Sequence, residues 1–284
     1  MTKNKKISLV ITDMDKTLLD NDSKISKKNI SSILKLKGNN IKFAIATGRS
    51  RRSLCNFMDK YQLMDKIDYI ISMNGVNIYD AKSGETYDFG YVDEKIINDI
   101  YHSYKDYDVS FAVHEGNCLI CNKKTTYTDI ECEVNGCVAN EVSDFTEVIN
   151  KKYPKLMLIG EKCIVDEINS KLTDSITKNF NFFKSYDYFL EIVKKDVSKG
   201  NALVKLCELK GIDISNVMAI GDNLNDLDMI KNSGFGVAVE NAHEELKKYA
   251  YFITKSNSEN GFAYACDKLI DFPINENIPE VSMK

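Results

Sequence analysis

Apolar and polar positions follow two different regimes along the chain. From Ile7 to Thr12, from Ile41 to Ala46 and from Tyr69 to Ser72 the sequence is almost continuously apolar. Short apolar runs of this kind suit strands buried on both faces of a parallel sheet. Between the first two, Ser26 stands as an N-cap for a helix through Leu36, stopped at Gly38. Ser50–Leu63 reads as a second helix, and the third run ends in Asn74-Gly75. The order β-α-β-α-β predicts a parallel sheet. The alternation resumes at Ser198, which caps a helix through Leu209 ended by Gly211. Val217–Ile220, Phe235–Val239 and Tyr251–Thr254 then read as strands, and Leu224–Lys231, His243–Lys248 and Gly261–Ile270 as helices. The end of the chain, with Pro273 and Pro279 and little periodicity, reads as a loose tail.

The intervening stretch has another grammar. Val92–Tyr104 carries an apolar stripe at Ile96, Ile97, Ile100, Tyr101 and Tyr104, which is helical spacing. Val109–Val113 and Cys118–Cys121 read as an antiparallel hairpin about a short Glu-Gly-Asn turn. Ser143–Asn150 and Ile164–Ile176 read as helices, Leu156–Ile159 as a strand, and Phe180–Phe183 with Tyr188–Val193 as a second strand pair. The predicted organisation is an α/β core from residues 1–85 and 190–284, interrupted by an inserted α+β module at 86–189.

With 284 residues, 43% hydrophobic and 28% charged, the chain is globular and has ample core. A net charge of −4 gives no reason to expect nucleic acid or an anionic membrane as partner. The only arginines, Arg49, Arg51 and Arg52, cluster after the second strand, as a solvated helix start or an electropositive rim. The polar residues before the first strand predict no signal peptide, and no apolar run is long enough to span a bilayer, so a soluble cytoplasmic protein is expected. Eight cysteines in such a chain suggest reduced thiols. Cys118, Cys121, Cys132 and Cys137 are spaced closely enough for zinc. Cys118 and Cys121, however, point to opposite faces of a strand, which favours ordinary buried thiols.

The chemistry lies in four short polar motifs. Asp13-Met14-Asp15-Lys16-Thr17 follows the first strand, Thr47-Gly48-Arg49 the second, Lys199 opens a helix, and Gly221-Asp222-Asn223-Leu224-Asn225-Asp226 follows Val217–Ile220. Ligands of open α/β sheets bind at the carboxyl ends of the strands, so residues more than two hundred positions apart can converge on one crevice. Together these motifs supply carboxylates, a hydroxyl, a lysine and an amide, which suit Mg²⁺-assisted phosphoryl transfer. Asp13, at a strand end, suits a nucleophilic carboxylate. Asp15 suits an acid that protonates the leaving oxygen and then activates water. Asp222 can join Asp13 and the Asp15 carbonyl on Mg²⁺, a hard cation that favours oxygen ligands. Thr47, the Gly48 N–H and Lys199 suit the remaining phosphate oxygens, with a further bond from Asn225. Asp226 reads as orienting Lys199 or the loop rather than touching metal.

These residues closely resemble the haloacid dehalogenase-like hydrolases, specifically the Cof-type phosphatases, over essentially the whole chain. The phrases Asn74-Gly75, Leu190-Glu191-Ile192, Ser198-Lys199-Gly200 and Asn260-Gly261 are similar to that subfamily as well. The resemblance implies a Rossmann-like core with a large cap that selects the substrate, inserted between the second and third motifs. It implies Asp13 as nucleophile, Asp15 as acid/base, and Mg²⁺ on Asp13, the Asp15 carbonyl and Asp222. It also implies phosphate contacts from the Met14 backbone, Thr47, Gly48, Lys199 and Asn225. Substrates in this family are small phosphometabolites: sugar phosphates, nucleotides and phosphorylated cofactors. The activity implied is hydrolysis through an aspartyl-phosphate on Asp13; the same intermediate would serve a phosphomutase or phosphotransferase, and a non-catalytic sensor could retain the phosphate pocket. Oligomeric state stays open. Lys16 departs from the family, which usually has glycine there. On this reading it flanks the entrance and favours a substrate with a second anionic group. In the module, His114, Glu115 and Tyr186 are candidate substrate contacts, weighed against solvated loop positions.

Overall fold

The computed structural model describes residues 6–148, 151–172, 178 and 180–272. Two compact units divide it: Met1–Thr47, Phe57–Tyr87 and Lys199–Lys284 form the first, and Gly48–Asn56 with Asp88–Ser198 the second.

The first unit is an α/β layer, as the run of apolar segments requires. Its sheet has eight strands in the order β14-β13-β12-β1-β2-β3-β4-β5. Here β1 is Leu9–Thr12, β2 Lys42–Ala46, β3 Tyr69–Ser72, β4 Asn77–Asp80 and β5 Thr86–Asp88. The later strands are β12 Val217–Gly221, β13 Phe235–Ala238 and β14 Phe252–Ile253. From β14 to β3 all pairings are parallel, with Leu9 beside both Val217 and Lys42. Every residue of β1 and β12 is buried, which is why these strands read as continuous apolar runs rather than alternating ones. The helices are α1 (Lys27–Gly38), α2 (Arg51–Asp59), whose residues 51–56 are grouped with the second unit, and, after that unit, α6 (Lys199–Lys210), α7 (Leu227–Asn232), α8 (Glu244–Lys247) and α9 (Gly261–Leu269). Ser26 caps α1 as expected, its side chain accepting the Asn29 N–H. Two short strands at one end of the sheet, β4 and β5, have no counterpart in the sequence reading. β4 turns back antiparallel on β3, and its Asn-Ile-Tyr-Asp run is too short to show a period.

The second unit is a six-stranded sheet, β10-β11-β9-β6-β7-β8. It comprises β6 (Val109–Glu115), β7 (Cys118–Cys121), β8 (Val138–Glu141), β9 (Leu156–Gly160), β10 (Phe180–Tyr186) and β11 (Phe189–Lys194), with α3 (Glu94–Tyr104), α4 (Thr126–Asn135) and α5 (Lys162–Ser170). Pairing is antiparallel except between β7 and β8. Ile97, Ile100 and Tyr104 of the expected α3 stripe pack with Phe111, Leu158 and Ile168 in one core. Three differences from the sequence reading stand out. β11 pairs with β9 across Phe189–Ile192, so this strand belongs to the second sheet and not to the core segment that the 189/190 boundary would give it. Ser143–Asn150 is a single short turn of helix at Phe145–Glu147, within its described part. The helix and strand at α4 and β8 were not foreseen.

α4 escaped notice because its buried face is polar. Its inward residues are Thr128, Glu131 and Asn135, and a hydrophobic period cannot reveal a helix that buries charge. Glu131 accepts from His114 Nε2 (2.7 Å) and Asn135 Nδ2 (2.9 Å). The Lys155 ammonium lies between Glu131 (3.3 Å) and Glu191 (3.2 Å), and Ser185 donates to Glu191 (2.6 Å). His114 is therefore a buried member of an ion-pair network rather than a solvated loop residue. Glu115 pairs with Lys151 (2.6 Å), and Tyr186 stacks on Tyr188. Nearby, Cys132 and Cys137 are hydrogen-bonded, and burial pushes the Cys132 thiol up to about 12, which opposes the thiolate that metal binding needs.

Among the described residues no helix is long and apolar enough to cross a membrane. The loose tail read from the sequence lies outside the described residues.

Candidate active site

The strands of the first two motifs, β1 and β2, and β12 are neighbours in the parallel part of one sheet, so their carboxyl ends open on one edge. Asp13 leaves β1 with its N–H on the Ile220 carbonyl of β12 (2.8 Å). The chain then makes a wide turn over Met14–Leu18, closed by the Leu19 N–H on the Met14 carbonyl (2.9 Å). Lys16 sits in this turn at φ 59°, a left-handed conformation, and Asn241 Nδ2 donates to its carbonyl (2.9 Å). This is the conformation that makes glycine usual at such a position, and the lysine adopts it at a cost. Lys16→Gly is therefore expected to stabilise the fold by up to ~1 kcal/mol. Thermal unfolding should then rise by about 2–4 °C; an unchanged or lower midpoint would refute the strain. The same variant tests the entrance reading, since KM should rise for a substrate with a second anion.

Five side chains, those of Asp13, Thr17, Lys199, Asp222 and Asp226, meet at this turn. Lys199, first residue of α6, places its ammonium 2.5 Å from Asp13 Oδ1 and 2.7 Å from Asp226 Oδ1. The second Asp226 oxygen accepts the N–H groups of Asp222 (3.0 Å) and Asn223 (3.2 Å). Thr17 donates its hydroxyl to Asp222 (2.8 Å), 205 positions away. All five residues are buried. Two glycines allow this packing. A Cβ on Gly221 would lie 2.5 Å from Asp226 Cβ, and one on Gly200 would lie 2.4 Å from Asp228 Cβ, so the loop after β12 folds back on itself only because Gly221 lacks a side chain, and α6 packs against α7 only because Gly200 does.

The electrostatics are unbalanced. Ligand atoms of Asp13, Asp222 and Asp226 all lie within 4.8 Å of one another, against the single ammonium of Lys199. Burial pushes the Asp13 carboxyl well above the usual range. Lys199 pulls it back, while Asp226, Asp222 and Asp15 push it further up. Burial and the charge of Asp226 raise Asp222 to about 6, against the Thr17 hydrogen bond. Burial alone would lower Lys199, but the charges of Asp13 and Asp226 outweigh it and keep the ammonium protonated. Close, buried carboxylates with too little positive charge are a donor set that fits a hard divalent cation.

The remaining sequence candidates are placed as follows. Thr47 is buried at the end of β2, its N–H on the Ile71 carbonyl (2.9 Å). Asn225 donates from Nδ2 to Asn74 Oδ1 (3.1 Å), and the Asn74 N–H donates to the Thr47 carbonyl (3.0 Å). The Met14 side chain is in the core, which leaves its backbone for any ligand. Asp15 is half-buried. Gly48 begins the segment grouped with the second unit. The side-chain hydrogen bond of Thr17 and the bridging position of Asn74 had no signal in spacing.

Comparison with known proteins shows the family of the chain. A family model described as haloacid dehalogenase-like hydrolase matches residues 10–266. A Streptococcus pyogenes serotype M6 protein named "Putative phosphatase M6_Spy0533" is 32% identical over 271 residues, covering 93% of this chain and 98% of its own. The Bacillus subtilis protein YcsE, named 5-amino-6-(5-phospho-D-ribitylamino)uracil phosphatase, is 28% identical and covers 91% and 94%. The crystal structure of a haloacid dehalogenase-like hydrolase from Bacteroides thetaiotaomicron superposes with a TM-score of 0.83 at 28% identity, over 93% of this chain and all of that one.

Proposed function

We propose that this chain, which belongs to the haloacid dehalogenase-like hydrolase family, is a Mg²⁺-dependent cytoplasmic phosphatase of a small phosphometabolite. One observation carries the reading above all: Asp13, Asp222 and Asp226 share one buried cluster with Lys199 at the strand ends. Such a cluster can receive a cation and a phosphoryl group together.

In this reading an oxygen of Asp13 attacks phosphorus and the ester P–O bond breaks. Asp15 delivers a proton to the departing oxygen, and the phosphoryl group is left on Asp13. Asp15 then takes a proton from water, whose oxygen attacks phosphorus and frees Asp13 and inorganic phosphate. Mg²⁺, held by Asp13, Asp222 and the Asp15 carbonyl, supplies charge that offsets repulsion between carboxylate and phosphate. Lys199, Thr47, the Gly48 and Met14 backbone and Asn225 hold the equatorial oxygens, where negative charge is spread in the transition state. Asp226 keeps both oxygens occupied, by Lys199 and by two backbone N–H groups, so its part is to aim the ammonium and the loop. The second unit serves as the cap that selects the organic part of the substrate.

The test is phosphate release from a panel of sugar phosphates, nucleotides and phosphorylated cofactors plus an aryl phosphate. The panel includes 5-amino-6-(5-phospho-D-ribitylamino)uracil, the substrate in YcsE's name. Release from none of them would overturn the reading. Chelation should lower release by about 100-fold or more, because the cation contributes several kcal/mol, and added Mg²⁺ should restore it. Full activity in excess chelator would exclude a metal role.

A further inference from the structure

We infer that Asn74 is a positioning residue of the active site, which fixes the direction of the Asn225 amide and ties the β2 and β12 loops together. The inference rests on the reading that Asn225 meets the phosphoryl group. Asn74 is fully buried, in the turn after β3, outside the four motifs. Its N–H donates to the Thr47 carbonyl (3.0 Å), and its Oδ1 accepts from Asn225 Nδ2 (3.1 Å), 151 positions away. The same turn packs on α6, the helix opened by Lys199. Asn74 therefore links the elements that carry Thr47 and Asn225, and its turn rests on the one that carries Lys199.

The chain holds this turn against its conformational preference. Met73, Asn74 and Gly75 have φ of 51°, 55° and 108°. Left-handed backbone is easy for glycine, tolerable for asparagine and costly for methionine, and such strain persists only where the surroundings enforce it. Backbone freedom alone would favour glycine at position 74. Asparagine adds an acceptor aimed at Asn225. A carboxamide presents N–H on one side and oxygen on the other. With one Nδ2 hydrogen committed to Asn74, the second hydrogen remains for an anionic oxygen. Without that acceptor the amide can rotate and turn its own oxygen toward the phosphate, replacing attraction by repulsion.

The experiment compares wild type, Asn74→Gly, Asn225→Ala and the double variant for kcat, KM, thermal midpoint and binding of inorganic phosphate. Asn74→Gly keeps the left-handed backbone and removes the carboxamide whose oxygen accepts from Asn225. Coupled neighbours show interaction energies that correspond to roughly 10-fold effects. So kcat should fall about 10-fold with little change in KM, and phosphate should bind several-fold more weakly, while the lost hydrogen bond lowers the midpoint by no more than a few degrees. In the Asn225→Ala background the same change should cost less than ~2-fold, since its target is gone. A wild-type kcat and phosphate affinity in Asn74→Gly, or effects that multiply in the double variant, would overturn the inference. Lack of turnover by wild type would instead fall on the enzymatic reading, while phosphate binding by the four proteins still decides the role of Asn74.

Discussion

Asp13→Asn should lower phosphate release by about three orders of magnitude or more, as removing a covalent nucleophile does in other enzymes. That is ~4 kcal/mol of transition-state stabilisation at 1.4 kcal/mol per decade. The variant should fold at least as well as the wild type. Asp13 lies in a buried group of three carboxylates with one ammonium, and an amide there removes one of the mutually repelling charges. Lys199 keeps Asp226 as partner at 2.7 Å, so no buried cation is stranded. The joint outcome of lost turnover and a retained or raised midpoint separates a chemical role from a structural one. Activity within tenfold of wild type would show that another group is the nucleophile. Loss of both activity and fold would show that Asp13 is structural.

Glu131→Ala should destabilise the second unit by ~3–5 kcal/mol, the cost of breaking a buried ion pair. Glu131 and Lys155 are both almost fully buried. Without Glu131, Lys155 retains only Glu191 among its two carboxylates, and Asn135 and His114 lose an acceptor. Burial opposes ionisation of Glu131, but the charge of Lys155 and the His114 hydrogen bond outweigh it and hold the carboxyl below its ordinary value. Burial likewise opposes the Lys155 charge, and Glu131 and Glu191 outweigh it. The pH dependence follows. A depressed carboxyl stabilises the fold fully above its unfolded value, and that contribution is lost as pH falls through the folded value. A raised lysine contributes below its unfolded value and loses it as pH rises through the folded one. The gap between wild type and Glu131→Gln should be widest near neutrality and close in acid. Urea unfolding at pH 7 and at about pH 3 would measure it. An equal gap at both would mean that Glu131 is not ionised in the folded state.

The Glu131 network also explains what could be read in the sequence and what could not. The strands bearing the motifs are legible because both of their faces are covered, which leaves continuous apolar runs such as Leu9–Thr12 and Val217–Gly221. α1 is legible from its Ser26 cap, and α3 from an apolar stripe that faces the core of its unit. α4 is not, because its inward residues are Thr128, Glu131 and Asn135. The partners of Glu131, His114 and Lys155, come from β6 and from the loop before β9, and periodicity is blind to charge that is neutralised from a distance. The ownership of β11 is hidden for a related reason. Its apolar run would suit either sheet, and only its pairing with β9 decides.

At the site, the residue types and their order were determined by the sequence alone. Carboxylates, a hydroxyl and a lysine stand at strand ends or at the start of a helix, and that is local information. The tertiary structure decided which of them touch. Thr17 meets Asp222, Lys199 divides itself between Asp13 and Asp226, and Asn74 meets Asn225. It also decided that Lys16 takes up a left-handed backbone despite its side chain. These are contacts across 27 to 205 positions. They exist because parallel strands bring remote segments side by side, and because burial makes each uncompensated charge or amide costly until a partner is in place.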